Sequence, residues 1–491
     1  MPTLVSINRR SPRGLSSAAA TTRAALPPVF FALFLVALAS PRASADVGVI
    51  LNESLNESMD RVTGTGHMAV YFSNICADTP TKLRLCAPGE SGSVMSTYIN
   101  IGEDRSFEWN IVPLNIYLYG VEDPRNRPLF ASFKIKRALE ERYRENYLSS
   151  FCTTPACQIS NKSEWREMVA ATLIRGMYLF VVDTSIEQDR ALIDEFNTAP
   201  NENHFNGATN NCADFARRIV NTYFPHAAGR DVLNDFGMTS PKAVSRTFTR
   251  YAQRHPELHL RVMHFAQVPG TIKRSSEVRA GTEQLFRSKK LLIPMLVFAD
   301  EAVPVVAASY LITGRFNPNK EFEKHPASNL APQDLSSSPR LQAAAAQNTE
   351  TQVAGAPADW KRYRKAFDME IEVNRDSPEA RDRAHFFKHL DEKGTASIDS
   401  DGAAWMLLSE NGESVRVGVS ASNILAGESD PQLSCEFLLA RVSTFLRSPK
   451  HRRETMPEFH QDWANLKHAA AGASVVSSVN AAPPKLAGGT L

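Results

Sequence analysis

The chain of 491 residues sets 55 Lys+Arg against 53 Asp+Glu. That near balance excludes a protein that grips nucleic acid through a concentrated basic face, and the length allows two or three domains with a sizeable core. A hydrophobic content of 43% fits a globular protein, while 29 prolines point to linkers or tails.

The N-terminus carries Arg9, Arg10, Arg13 and Arg23 ahead of the apolar run Val29 to Ala39, followed by Ala43-Ser44-Ala45. A basic start, a short apolar core and an A-x-A site describe a secretory signal peptide over residues 1–45. The run is short for a membrane span, so an uncleaved anchor is the alternative and a chain beginning near Asp46 the expectation. The expected location is exported, periplasmic or extracellular.

An oxidising compartment permits disulfides, and two cysteine pairs lie close in sequence. Cys76 and Cys86 could staple the hairpin NICADTPTKLRLC, and Cys152 and Cys157 could close CTTPAC. Metal binding by these four is the rival, but neither spacing is C-x-x-C and no histidine is near, so no metal is expected. Cys435 lies on an apolar helical face and reads as an inert core residue.

In GTGHMAVYFSN, the residues Met68, Val70 and Phe72 alternate with His67, Ala69 and Tyr71, the period of a strand. Gly64 and Gly66 give it a tight entry. SFEWNIVPLNIYLYGVED reads as core or groove lining, and FKIKRALEERYRENYLSSF and EWREMVAATLIRGMY as helices that could form a lid. YLFVVDTS, Tyr178 to Ser185, is expected as a buried strand, IEQDRALIDEFN as a helix, and SPKAVSRTFTRYAQRHPEL as a further helix with a solvated charged face.

The stretch NNCADFARRIVNTYFP places Cys212, Phe215, Ala216, Ile219, Val220 and Tyr223 on one helical face. Asn210 or Asn211 can cap this helix, and Pro225 stops it. Cys212 therefore opens the helix, where the dipole and unpaired N–H groups favour thiolate and could hold an oxyanion. His67 is the first candidate for the partner base and His204, in NENHFNG, the second.

GHMAVYF followed downstream by NNCADFARRIVN resembles the circularly permuted branch of the papain-like cysteine hydrolases, which includes relatives of the NlpC cell-wall peptidases and lecithin retinol acyltransferase. The resemblance covers roughly residues 47–265. It implies an α+β domain, an antiparallel sheet packed on helices over 46–286, with His67 and Cys212 as the catalytic pair and no cofactor. The family places a polar residue on the strand after the histidine to orient the imidazole; by position Tyr98 and Asn100 are the candidates here, with Asn211 and His204 as further site-lining residues.

Leu291 to Gly314 is long enough to span a membrane, but Asp300, Glu301 and Pro304 lie near its middle, and intramembrane carboxylates are costly. A hydrophobic hairpin, buried or resting on a membrane, is therefore expected over 287–316, with a true span as the alternative. Residues 317–358 read as a disordered linker. A small α+β domain is expected over 359–468, its strands AAWMLLSE and ESVRVGVSA joined through Asn411-Gly412, and a flexible tail over 469–491. Together these features lead to the expectation of an exported cysteine hydrolase or acyltransferase. Its expected substrate is a cell-envelope amide or ester, a peptidoglycan peptide first or a lipid second; a non-catalytic envelope scaffold is the alternative outside enzymology.

Overall fold

Alternation of apolar side chains builds the centre of this protein, because each strand of its main sheet is covered on both faces. The computed structural model describes residues 44–325 and 392–422 apart from internal stretches, the longest lying within 56–65, 98–106, 152–163 and 288–300. The main sheet contains β1 (Ser44–Asn52), β2 (His67–Phe72), β5 (Ser93–Ser96), β6 (Asn110–Pro113), β7 (Met177–Ser185) and β8 (Arg261–Phe265). They run in the order β6-β5-β2-β1-β7-β8, every neighbour antiparallel. The hairpin β3 (Ile75–Thr79) and β4 (Lys82–Leu85) stands outside this sheet.

Two cores flank the sheet. On one face Ile50, Ala69, Tyr71 and Val94 pack with α1 (Leu114–Tyr119) and α2 (Phe133–Tyr147). On the other, Val49, Leu51, Met68, Val70 and Phe72 pack with α3 (Ile186–Thr198), α4 (Cys212–Tyr223) and α5 (Pro241–Arg254). The helices expected at 186–197 and 212–223, and the strand expected at 178–185, form where the periodicity placed them. The expected helix 133–151 ends at Tyr147, and that at 240–258 breaks at Arg254 before a 3₁₀ turn, Pro256–Leu258. SFEWNIVPLNIYLYGVED supplies β6 and α1 and is core: Ile116, Tyr117 and Leu118 are buried. An α+β fold with an antiparallel sheet on helices is therefore the architecture.

Several expectations differ from what forms. The stretch 164–178, expected as one helix, is two 3₁₀ turns, Glu164–Met168 and Ala171–Leu173, that lead into β7. Between them Ala170 is left-handed at φ 52° and donates its N–H to the Ile116 carbonyl. The buried Lys136 ammonium takes the carbonyls of Arg166 and Val169, which a continuous helix would have needed for itself. Residues Ser44 and Ala45, assigned above to a leader, extend β1 opposite Ser185 and Thr184. Residues 1–43 lie outside the described residues.

Much of the hydrophobic segment expected over 287–316 lies outside the described residues. Among the described residues no helix is long and apolar enough to cross a membrane. What forms there is α6 (Gly281–Arg287) ahead of it and the eight-residue α7 (Ala302–Ser309) within it. The first residues of the expected linker form α8 (Pro318–Lys324), anchored to β8 by a bond from the Val262 N–H to the His325 carbonyl, 2.7 Å.

In the C-terminal part, β10 (Ala404–Glu410) pairs with β11 (Glu413–Gly418) as the hairpin pattern required, and β9 (Thr395–Ile398) adds a third strand. The turn at 411–412 and the helices expected around these strands lie outside the described residues. The small sheet packs on α2: Ala404, Met406, Leu408 and Val417 belong to the same core as Ile135 and Leu139. Lys134 donates to the Glu392 and Gly394 carbonyls, and Leu129 N–H to the Val419 carbonyl. The described strands of the C-terminal part thus share a core with the first domain.

Candidate functional site

The N-terminus of α4 is built by Asn211. Its side-chain oxygen accepts from the N–H groups of Ala213 and Asp214 at 2.9 and 3.1 Å, and its amide donates to the carbonyls of Gly207 and Thr239. The first-turn carboxylate of Asp214 is buried and accepts from Thr239 at 2.6 Å and Arg230 at 2.7 Å. The capping pattern therefore fixes the position of Cys212 from both sides.

Beneath it, β2 begins at His67. Gly66 precedes it at φ +69°, and a Cβ there would fall 2.4 Å from the Asn52 carbonyl, so only glycine lets the chain enter this strand. The backbone N–H groups of Met68, Ala213 and Cys212 itself act on the Cys212 sulfur in the direction that favours its charged form. It is the one free cysteine among the described residues. His67 shares its face of the sheet with Ala69 and Tyr71, whereas α4 covers Met68, Val70 and Phe72 on the other. Imidazole and sulfur thus approach the His67–Met68 peptide from opposite faces, at the open end of β2.

The ring of His67 is held by a residue the sequence reading did not single out. Its Nε2 lies 2.7 Å from Oγ of Ser96, the last residue of β5. Ser96 also points its hydroxyl at the Met68 carbonyl, 3.4 Å away. The 2.7 Å contact is the shorter of the two, so it is the ring that the hydroxyl chiefly holds in place. Tyr98 and Asn100, the expected orienting residues, lie outside the described residues. His204 is exposed on its loop, and its carbonyl accepts from Asn210 Nδ2 at 2.9 Å.

The surroundings complete a polar cluster that sequence spacing could not reveal. Asn52, opposite His67 in the β1–β2 register, accepts from the buried Tyr117 hydroxyl at 2.9 Å. Arg175 is buried and paired with Glu167, and its charge is felt by both His67 and Cys212. Burial raises the Glu167 carboxyl, but the surrounding basic groups, Arg175 first, together outweigh it and hold that group below the ordinary glutamate range.

Electrostatics correct the expectation of a resting thiolate. Burial pushes the Cys212 thiol up to about 11, and the three N–H groups only partly offset it. Burial, helped by the Arg175 charge, lowers His67 to about 4. At neutral pH both groups are therefore uncharged: desolvation penalises an ion more than one turn of helix dipole favours it. Both residues keep part of their surface open to solvent.

The hairpin disulfide expected between Cys76 and Cys86 is present. The Glu90 carboxylate lies beside it, but sulfurs bonded to each other supply no thiolate for a metal. Cys152, Cys157 and Cys435 lie outside the described residues. Comparison with known proteins finds no matching family model, no matching curated protein and no matching solved structure. The site must be read from its own chemistry.

Proposed function

We propose that the protein is an exported cysteine hydrolase acting on an amide bond of the cell envelope, with Cys212 as nucleophile, His67 as general base and acid, and Ser96 orienting His67. The observation that carries this reading is the 2.7 Å contact between His67 Nε2 and Ser96 Oγ at the start of β2, together with a cysteine that opens a capped helix packed on the other face of that strand. The permuted papain-like resemblance of the two motifs supports the same roles, and the Cys76–Cys86 disulfide fits an oxidising compartment.

Because both groups rest uncharged and stand on opposite faces of β2, the thiol proton must reach the imidazole through an intervening water or substrate group as the sulfur attacks, rather than by direct transfer or from a resting thiolate. A C–S bond forms, and the carbonyl oxygen becomes an oxyanion that the Cys212 N–H can hold. Collapse breaks the C–N bond, the imidazolium proton goes to the leaving amine, and water then hydrolyses the thioester by the reverse proton path.

The neutral pair also favours one other reading, a non-catalytic envelope scaffold of the same fold. A peptide chloromethyl ketone separates them. Covalent modification of Cys212 that is lost in His67→Ala, with release of soluble fragments from purified peptidoglycan, establishes the hydrolase. Cleavage of ester bonds in phospholipid vesicles instead would move the substrate to lipid, and absence of all three would leave the scaffold.

A further inference from the structure

The loop between α4 and α5 is built inside out. Residues 231–237 read DVLNDFG, and the fold turns the polar side chains inward and the apolar ones outward. Asp231, Asn234 and Asp235 are buried, whereas Val232, Leu233 and Phe236 are 61%, 64% and 54% exposed. Each buried group is matched. Asp231 accepts from Arg246 and Asn234, and Asp235 accepts from the Ser240 hydroxyl at 2.7 Å and the Gly281 N–H at 3.0 Å. Asn234 takes both the N–H and the hydroxyl of Thr282. Phe236 adopts φ +52°, a left-handed backbone unusual for an aromatic residue, with its ring edge over Gly281, where a Cβ would fall 3.0 Å from it. Polar groups satisfied this fully hold the loop in one shape, and that shape presents three adjoining apolar side chains to solvent.

The loop adjoins the candidate site. The Asn211 amide that builds the start of α4 donates to the Thr239 carbonyl, and Thr239 Oγ1 donates to Asp214 in the first turn. Phe236 stands three residues from Thr239, a stretch of chain that reaches about 10 Å at most. The same amide donates to the Gly207 carbonyl, on the loop where Phe205 is also exposed.

Shape and charge decide what this surface fits. A Cβ on Gly237 would meet nothing within 4 Å, so the tip protrudes instead of lining a groove. Both carboxylates of the loop face inward, whereas its base shows cations. Arg230 and Arg217 keep 40% and 26% of their side chains exposed and share one buried carboxylate, Asp214. A protruding apolar tip over a cationic base, with no exposed acid among 231–237, complements a membrane surface, where anionic phosphates overlie an apolar interior.

We infer that residues 232–236 dock the protein on a phospholipid bilayer, with Val232, Leu233 and Phe236 entering below the headgroups, and so bring the Cys212 end of α4 to the membrane surface. Docking needs no chemistry at the sulfur, so it stands or falls separately from the hydrolase reading.

The test puts a reporter in the tip. The full chain carrying Leu233→Trp is mixed with vesicles of phosphatidylethanolamine and phosphatidylglycerol whose brominated acyl chains quench an indole on contact, and the signal of the parent chain is subtracted. Phe133→Trp, at an exposed phenylalanine that opens α2 on the other face of the sheet, is the control. The expected result is that Leu233→Trp is quenched severalfold more than Phe133→Trp, and that adding Val232→Ser and Phe236→Ser removes most of the quenching. Quenching no greater than the control's would overturn the inference. So would quenching that persists with both neighbours changed to serine, because other parts of the chain would then be holding the loop near lipid. Shielding of the tip from aqueous iodide that grows with protein concentration, without vesicles, would overturn it in favour of a second copy of the chain.

Discussion

His67 and Ser96 meet on one face of the sheet, ring nitrogen to hydroxyl at 2.7 Å, from the first residue of β2 and the last of β5. The pairing Val70↔Met95 continues to place Ser96 opposite Ala69, the diagonal neighbour of His67. Replacing the hydroxyl leaves Nε2 of a partly buried imidazole without its Ser96 partner. Ser96→Ala should cost about 1–3 kcal/mol in denaturant melts and, in the enzyme reading, lower kcat about ten- to a hundredfold with little change in KM. Ser96→Thr, which keeps the oxygen, should recover much of the activity. Equal loss in both variants would mean that only packing was disturbed.

The imidazole also makes stability pH-dependent. His67 titrates near 4 in the fold, against 6.5 for an ordinary histidine. The unfolded chain therefore binds the proton first, and stability present above pH 6.5 is lost as pH falls through 4. The contribution is on the order of 2 kcal/mol once partial exposure is allowed for. Urea midpoints for the parent and His67→Gln, taken between pH 7 and pH 4, should converge as the pH falls; parallel curves would contradict the assignment.

Cys212 has the opposite sign. Its thiol titrates near 11, above the ordinary cysteine range, so at pH 7 the thiolate fraction is on the order of 10⁻⁴. Iodoacetamide should modify the native protein far more slowly than the urea-unfolded chain at pH 7. The native rate should climb about tenfold per pH unit up to pH 10. A plateau near pH 8 would show that the sulfur ionises early.

The cap of α4 offers a structural control. Asn211→Ala removes the acceptor for two N–H groups and the donor to Gly207 and Thr239, and should cost about 1–2 kcal/mol by thermal melting. Asn211→Asp keeps the acceptor and should be milder. If the alanine variant melts with the parent, the cap does not hold the cysteine.

Reducing Cys76–Cys86 opens a link between residues ten apart, at the end of the β3–β4 hairpin. The chain-entropy contribution for so short a loop is about 2–3 kcal/mol. The double Cys→Ser variant should lose about that much in urea, with the dependence on denaturant slightly steeper.

Ser96 and Arg175 mark how far linear reading reaches. Period-two alternation made β2 and β7 legible, and period 3.6 with an asparagine cap and a closing proline made α4 legible, because both patterns are carried by neighbouring residues. The same locality exposed the Cys76–Cys86 staple and the β10–β11 hairpin. It failed at 164–178, where the apolar pattern is helical but the Lys136 ammonium takes two carbonyls of the would-be helix.

By itself, then, the sequence determined which side chains open the two elements: His67 a strand and Cys212 a helix, each with its glycine or asparagine device. Tertiary structure alone decided their environment. Sheet order brings Ser96 to the ring and Arg175 and Tyr117 to its surroundings, and two packed cores strip water from ring and sulfur. A dipole at a helix end is a local property, so a short motif can promise an anionic sulfur. The desolvation that leaves it neutral is the sum of atoms contributed by strands and helices distant in the chain, and no local pattern encodes it.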